Sequence, residues 1–151
     1  MSESFRRCAG RKVMSRSSAR EIGTVSHLVV DTQQLRIVAV IIGRGKRAHV
    51  VDWSEVVGFG RDAVMVLDDG VLRPPADDRE RAAAEGKLDL VGKRALSERG
   101  NELGELDDVT FDAASGSLEE LLIGDRRVPA RSLLGSGSYA AVLAGSEELS
   151  A

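Results

Sequence analysis

Apolar and polar positions in this chain fall into short stretches, and the same stretches occur twice. One set of apolar positions is Ile22, Val25, Leu28 and Val30; another is Leu103, Leu106, Val109 and Phe111. The last two of each set are two residues apart, the period of a half-buried strand. The earlier spacing of three would suit a helix, but Gly23 and Gly104 interrupt it and β-favouring residues follow. A bulged strand is expected instead, one extra residue restoring the facing. Asp31 and Asp112 then cap a turn, and residues 37–42 and 118–123 return as the second strand of a hairpin. The run Ile37-Val-Ala-Val-Ile-Ile42 is apolar on both sides, which predicts the most buried strand. Val50-Val51 and Val128 begin a short strand. Residues 53–57 and 130–134 read as one helical turn ended by Gly58 or Gly135, and 63–67 and 140–143 as a last strand.

These correspondences extend to an internal repeat. Gly10-Arg-Lys-Val-Met-Ser15 matches Gly92-Lys-Arg-Ala-Leu-Ser97, Glu21-Ile-Gly-Thr-Val25 matches Glu102-Leu-Gly-Glu-Leu106, and Val40-Ile-Ile-Gly43 matches Leu121-Leu-Ile-Gly124. Further on, Val56-Val-Gly-Phe-Gly60 matches Leu133-Leu-Gly-Ser-Gly137. The offset steps from 82 to 81 to 77, which places length changes at 16–20 and 44–50, where loops are expected. The repeats span 8–68 and 88–145. Residues 69–87 join them, with Pro74 and Pro75 stopping the preceding strand and 76–85 suited to a short helix closed by Gly86. About five short antiparallel strands and one helical turn per copy fit a small β-barrel. A unit this small buries little apolar surface alone. The expectation is therefore mainly β: two small antiparallel barrels, side by side about a pseudo-twofold axis. A single continuous core would contradict two separately closed units.

Composition narrows the class. The 151 residues are 42% hydrophobic and 30% charged, with net charge −3, and exert no general pull on nucleic acid or anionic membrane. No apolar run approaches the ~20 residues of a membrane span. The start carries charges without an apolar secretory core, and the lone Cys8 makes no internal disulfide. A cytoplasmic location is expected. The 17 Arg against 4 Lys suit a GC-rich bacterial genome. The first copy carries charge +3 and the second −4, opposite signs that would attract.

The segments Val91-Gly-Lys-Arg-Ala-Leu-Ser97, Gly100-Asn-Glu-Leu-Gly-Glu-Leu-Asp-Asp-Val-Thr-Phe-Asp112 and Leu121-Leu-Ile-Gly124, with the closing Gly-x-x-Ala-x-Val strand, resemble the PRC-barrel family. That family includes the cytoplasmic domain of the photosynthetic reaction centre H subunit and the C-terminal domain of a ribosome maturation factor. The resemblance covers both copies and implies a small β-barrel serving as a scaffold or adaptor, with no shared catalytic residues. Copy one has Ala19-Arg20 where copy two has Gly100-Asn101, so that turn is expected to differ. Trp53 is matched by Ala130.

Candidate chemistry is sparse. A metal needs three or four convergent ligands; His27 and His49 are the only histidines, and copy two has Asp108 in place of His27, so no metal or cofactor is expected. Glu21 and Glu102 recur as strand-entry residues rather than a catalytic carboxylate pair. Glu105, Asp107 and Asp108 form a solvated acidic face or, less in keeping with the pattern, a Mg²⁺ or Ca²⁺ site. Arg6, Arg7, Arg11 and Lys12 around Cys8 would lower its pKa; an unreactive thiol in a mobile basic tail is the competing reading. Residues 1–20 hold six basic residues and one acidic, suited to phosphate contact but lacking a stacking platform. Trp53 and Phe59 are a contact anchor or a plug at a barrel end or the joint between copies.

The reading is a non-enzymatic adaptor that meets an unknown protein partner through Arg44, Lys46, Arg47, His49, Trp53 and Phe59, together with Glu105, Asp107 and Asp108. An RNA- or ribosome-associated binding protein is the first alternative, and a metal-dependent protein or enzyme the second. The expected state is a monomer with internally paired barrels or a homodimer.

Overall fold

The computed structural model describes residues 1–145. The chain opens with β1 (Ser2–Ser4) and α1 (Phe5–Cys8). The first repeat contributes β2 (Lys12–Ser15), β3 (Glu21–Asp31), β4 (Arg36–Ile42), β5 (His49–Asp52), β6 (Val56–Phe59) and β7 (Ala63–Val66). After α2 (Asp78–Ala84), the second repeats the series as β8 (Arg94–Ser97), β9 (Glu102–Asp112), β10 (Leu118–Ile123), β11 (Arg126–Pro129), β12 (Leu133–Ser136) and β13 (Ala140–Leu143). Each repeat forms its own sheet, ordered β5-β4-β3-β2-β7-β6 and β11-β10-β9-β8-β13-β12. The duplicated sequence thus folds twice into one topology, with six strands per copy rather than five.

The helical turn is shorter than expected. Only Trp53–Glu55 and Ala130–Ser132 coil, as 3-10 turns, and Gly58 and Gly135 lie inside the strands that follow. This turn also shapes the sheet. Six flat strands ~4.8 Å apart would separate β5 from β6 by about 24 Å. Three residues join Asp52 to Val56, and four Cα steps reach at most about 14 Å. Each sheet is therefore curled. The turn carries the chain from one sheet edge to the other without reversing it, so β7 runs parallel to β2, and β13 to β8. The wholly antiparallel expectation is corrected on this point; the other pairings are antiparallel.

The irregular strand is bulged, as its spacing predicts. Register shifts occur between Val25 and His27 and between Leu122 and Ile123. Asp31 Oδ1 accepts the amides of Gln33 and Gln34, and Asp112 Oδ2 that of Ser115, so both carboxylates cap their turns. The turn expected to differ between copies differs in length, running from Ser15 to Arg20 in the first and from Ser97 to Asn101 in the second, but keeps a left-handed residue at its end. Ala19 has φ 59° where Gly100 has φ 88°, and Ser15 N donates to Arg20 O as Ser97 N does to Asn101 O. Alanine carries the left-handed strain that glycine avoids. Ala19→Gly is therefore expected to raise stability by about 0.5–1 kcal/mol, read from the urea midpoint.

The repeats are joined more deeply than side-by-side packing implies. The two hairpin turns bond to each other: Ile37 N donates to Gly116 O and Leu118 N to Leu35 O, both at 2.9 Å. Leu35 matches Gly116 and Ile37 matches Leu118 in the repeat, so the contact is reciprocal. The N-terminal segment, expected to be a mobile tail, is ordered. β1 pairs with β9, Ser2 opposite Asp112 and Ser4 opposite Thr110, and so belongs to the second sheet although it precedes the first repeat. Phe5, Phe111, Phe59 and Trp53 continue as a chain of ring contacts, 5.4–5.7 Å between centroids, from the second repeat into the first. The main buried cluster draws on both repeats, from Val13, Val40 and Val64 to Leu106, Leu121 and Leu143. The sheets are separate but the core is one, which corrects the picture of two separately closed units. Each curled sheet is too small to cover its own apolar interior, and the partner repeat covers the remainder.

The connector extends this scheme. Arg73 and Val50 exchange both backbone hydrogen bonds, at 2.7 and 3.1 Å, so the connector covers the β5 edge. α2, capped by Asp77, lays Ala83 and Ala84 over Val29, Ala39 and Ile41, and Leu88 beyond the helix packs on the same cluster. This is why β4 is buried on both faces. β10 has no such cover and reads Leu-Glu-Glu-Leu-Leu-Ile, its glutamates facing outward. Arg73 bridges the connector through Asp52 (2.8 Å) and Glu80 (2.6 Å). The Arg73 guanidinium holds the Glu80 carboxyl below its ordinary value of 4.5. The native state then binds fewer protons here than the unfolded chain, so this stabilisation is full above pH ~4.5 and fades as pH falls through the lowered value. Between pH 6 and 3 the urea midpoint is expected to fall, and Glu80→Gln to flatten that fall by about 1 kcal/mol.

Candidate functional site

The nine residues expected at a contact surface occupy three settings. Arg44, Lys46 and Arg47 stand exposed on the 3-10 turn Gly45–Arg47 and form no ion pair among the described residues. His49 opens β5 half-buried, its Nδ1 2.8 Å from Arg47 O. The loop that carries these cations, residues 43–48, replaces the two-residue turn Gly124-Asp125 of the second repeat. It is the larger of the two length changes between the copies.

Trp53 and Phe59 lie at the joint. Phe59 is 6% exposed. Trp53 is half-buried, stacked on Phe59, with its indole against Gly116 of the other hairpin; a Cβ there would meet the ring at 3.0 Å. Of the two readings open for these rings, the geometry is that of the plug between copies.

The acidic residues form the third setting. Glu105 is exposed on β9, but Asp107 and Asp108 hold backbone. Arg6 N donates to Asp108 Oδ1 at 3.1 Å, Gly124 N donates to Asp107 Oδ2 at 2.7 Å, and Arg6 Nε donates to the Asp107 carbonyl. The Asp108 carboxylate fastens the N-terminal segment and the Asp107 carboxylate the turn at Gly124, so neither forms a freely solvated face. Glu21 and Glu102 pair with Lys12 (3.8 Å) and Arg94 (2.8 Å), equivalent cations of the neighbouring strand. No three His, Cys, Asp or Glu side chains converge as a metal site among the described residues.

Cys8 is buried, and burial pushes its thiol up to about 12, outweighing the nearby Arg11. Of the two readings of Cys8 this agrees with the unreactive thiol and not with a pKa lowered by neighbouring cations: Arg11 is committed to Glu3. Arg11 and Glu3 form a buried ion pair at 3.1 Å, their side chains 6% and 3% exposed. Arg11 also donates to Gly60 O (2.8 Å) and Arg7 O (3.3 Å) and lies over the Phe59 ring. In the second repeat Lys93 replaces Arg11. Its ammonium donates to Lys87 O (3.2 Å) and Asp89 O (2.6 Å), and burial lowers its pKa. Native Cys8 is expected to react with a chromogenic disulfide reagent on the order of a thousandfold more slowly than the unfolded chain, followed by absorbance at pH 8.

A cavity of about 280 Å³ lies where α1, β3 and the lead-in to the second repeat meet. Val25, Leu28 and Leu90 supply buried apolar lining, and Phe5 adds a ring. Arg6, Ser26, His27 and Asp89 supply the polar groups. Both Asp89 carboxylate oxygens lie 3.0 Å from His27 Nδ1. The carboxylate accepts from Nδ1–H, which leaves Nε2 as the other polar atom of the ring. Ser26 is spent on backbone, donating to Ile41 O and Gly43 O. Sequence reasoning singled out His27 but not its partner. The one available signal was Asp89 standing alone within Leu88-Asp-Leu-Val91.

A family model described as PRC-barrel domain matches residues 3–73 and 88–140, which takes in both repeats. No curated protein matches the chain.

Proposed function

We propose a function from one premise: the chain belongs to the PRC-barrel domain family. It acts as a non-catalytic adaptor that binds an acidic surface of a protein partner through the Arg44–Arg47 loop. Each curled sheet is the small barrel of that family, and the two are paired about a pseudo-twofold axis. The observation that carries the reading is the divergence between the copies. Where the second repeat turns tightly, the first inserts a loop whose three cations form no ion pair among the described residues. Exposed cations without internal partners contribute little to folding and much to steering and specificity. RNA is the weaker alternative. Of the basic residues near the N-terminus, Arg11 is buried on Glu3, which leaves fewer phosphate contacts than the sequence suggests.

The test is affinity capture of the full chain from the cytoplasmic fraction of its native cell, against a variant carrying Arg44→Glu, Lys46→Glu and Arg47→Glu. Recovery of a protein at stoichiometric level by the native chain, lost in the variant and at high salt, supports the reading. Recovery that charge reversal leaves unchanged, or capture of RNA alone, overturns it. Equal thermal midpoints for the two chains exclude misfolding as the cause.

A further inference from the structure

We infer that the cavity between α1, β3 and Asp89 binds a small hydroxylated aromatic carboxylate, a site separate from the proposed adaptor loop. The fold supplies its own control. Ser26-His27 in the first repeat corresponds to Asp107-Asp108 in the second, on the same bulged strand. At the second position the groups are consumed internally, by Arg6 N and Gly124 N. At the first, Ser26 is likewise spent on Ile41 O and Gly43 O, but His27 borders a cavity of about 280 Å³. Two copies that share a backbone therefore differ in chemistry at the place where one of them is hollow.

The lining defines the ligand. Phe5, Leu28 and Leu90 form an apolar floor suited to a planar ring. Arg6 uses Nε on the Asp107 carbonyl, and its terminal guanidinium nitrogens make no bond among the described residues. That fork matches a carboxylate in two-point geometry. His27 pairs through Nδ1 with Asp89, which fixes the ring and leaves Nε2 as its remaining polar atom. A ligand hydroxyl, which both donates and accepts, suits that nitrogen.

The experiment follows the His27 ring resonances of the full chain by NMR while 4-hydroxybenzoate is added to about 10 mM. A saturable shift is expected, with benzoate and phenol each binding about tenfold more weakly because each lacks one polar group. Arg6→Ala is expected to weaken 4-hydroxybenzoate about tenfold, and Arg44→Ala to leave it unchanged. Should Arg6→Ala lose its native spectrum, Arg6→Lys keeps the charge without the fork and is expected to weaken binding likewise. No saturable shift, phenol binding as tightly as 4-hydroxybenzoate, or undiminished binding by a folded Arg6 variant overturns the assignment. The adaptor reading is untouched by any of these results, since Arg6 and His27 lie outside its loop.

Discussion

Arg11→Met is expected to lower the unfolding free energy by about 3–5 kcal/mol, a large share of the ~5–15 kcal/mol typical of a domain. The substitution keeps an apolar stem against Phe59 but leaves the Glu3 carboxylate, 3% exposed, without its cation. It also removes the donors to Gly60 O and Arg7 O. Glu3 sits on β1 opposite Phe111 of β9, so the pair ties the N-terminal strand, the first repeat and the second repeat at one point. The cost comes mainly from the uncompensated charge, and the double variant Glu3→Leu, Arg11→Met is expected to recover most of it. Urea denaturation measures both. A single-variant loss under ~1 kcal/mol would show the pair to be effectively solvated.

Phe111→Ala is expected to cost about 3–5 kcal/mol and to weaken both repeats together. Phe111 is fully buried, with ring contacts to Phe5 and Phe59. If the core is one, removing a ring from the second repeat loosens the first as well. Thermal unfolding then stays a single transition at a lower midpoint, and amide exchange accelerates in β3 and β4 as in β9 and β10. Two separated transitions, with exchange in β3 and β4 unchanged, would show instead that the sheets unfold independently.

The fold was largely legible because its signals are local. Period-two alternation, the shared irregular spacing with Gly23 and Gly104, and the turn-capping Asp31 and Asp112 each act within a few residues, and duplication displays them twice. Other features had no local signal. Ser2–Ser4 is three polar residues with no apolar pattern, so nothing marks it as a strand; its hydrogen bonds come from β9, about a hundred positions away. Burial of Glu3 is equally silent, since isolated carboxylates favour solvent. The reading of Cys8 as a thiol activated by its cationic neighbours fails for a related reason: its sequence neighbours are cationic, but burial dominates its surroundings. The predicted contact residues were chosen by type, and type does not reveal that Asp107 and Asp108 are occupied by backbone whereas Arg44, Lys46 and Arg47 are exposed and form no ion pair among the described residues.

The amino-acid pattern by itself determined the strands, the turns and the fact of two like halves, because hydrophobic periodicity and turn chemistry are properties of neighbouring residues. Only the tertiary structure decided that the halves share one interior, that the N-terminal strand crosses to the far sheet and that a hollow remains beside His27. Those outcomes depend on which surfaces meet, and a curled sheet too small to enclose its own core leaves that choice to its partner.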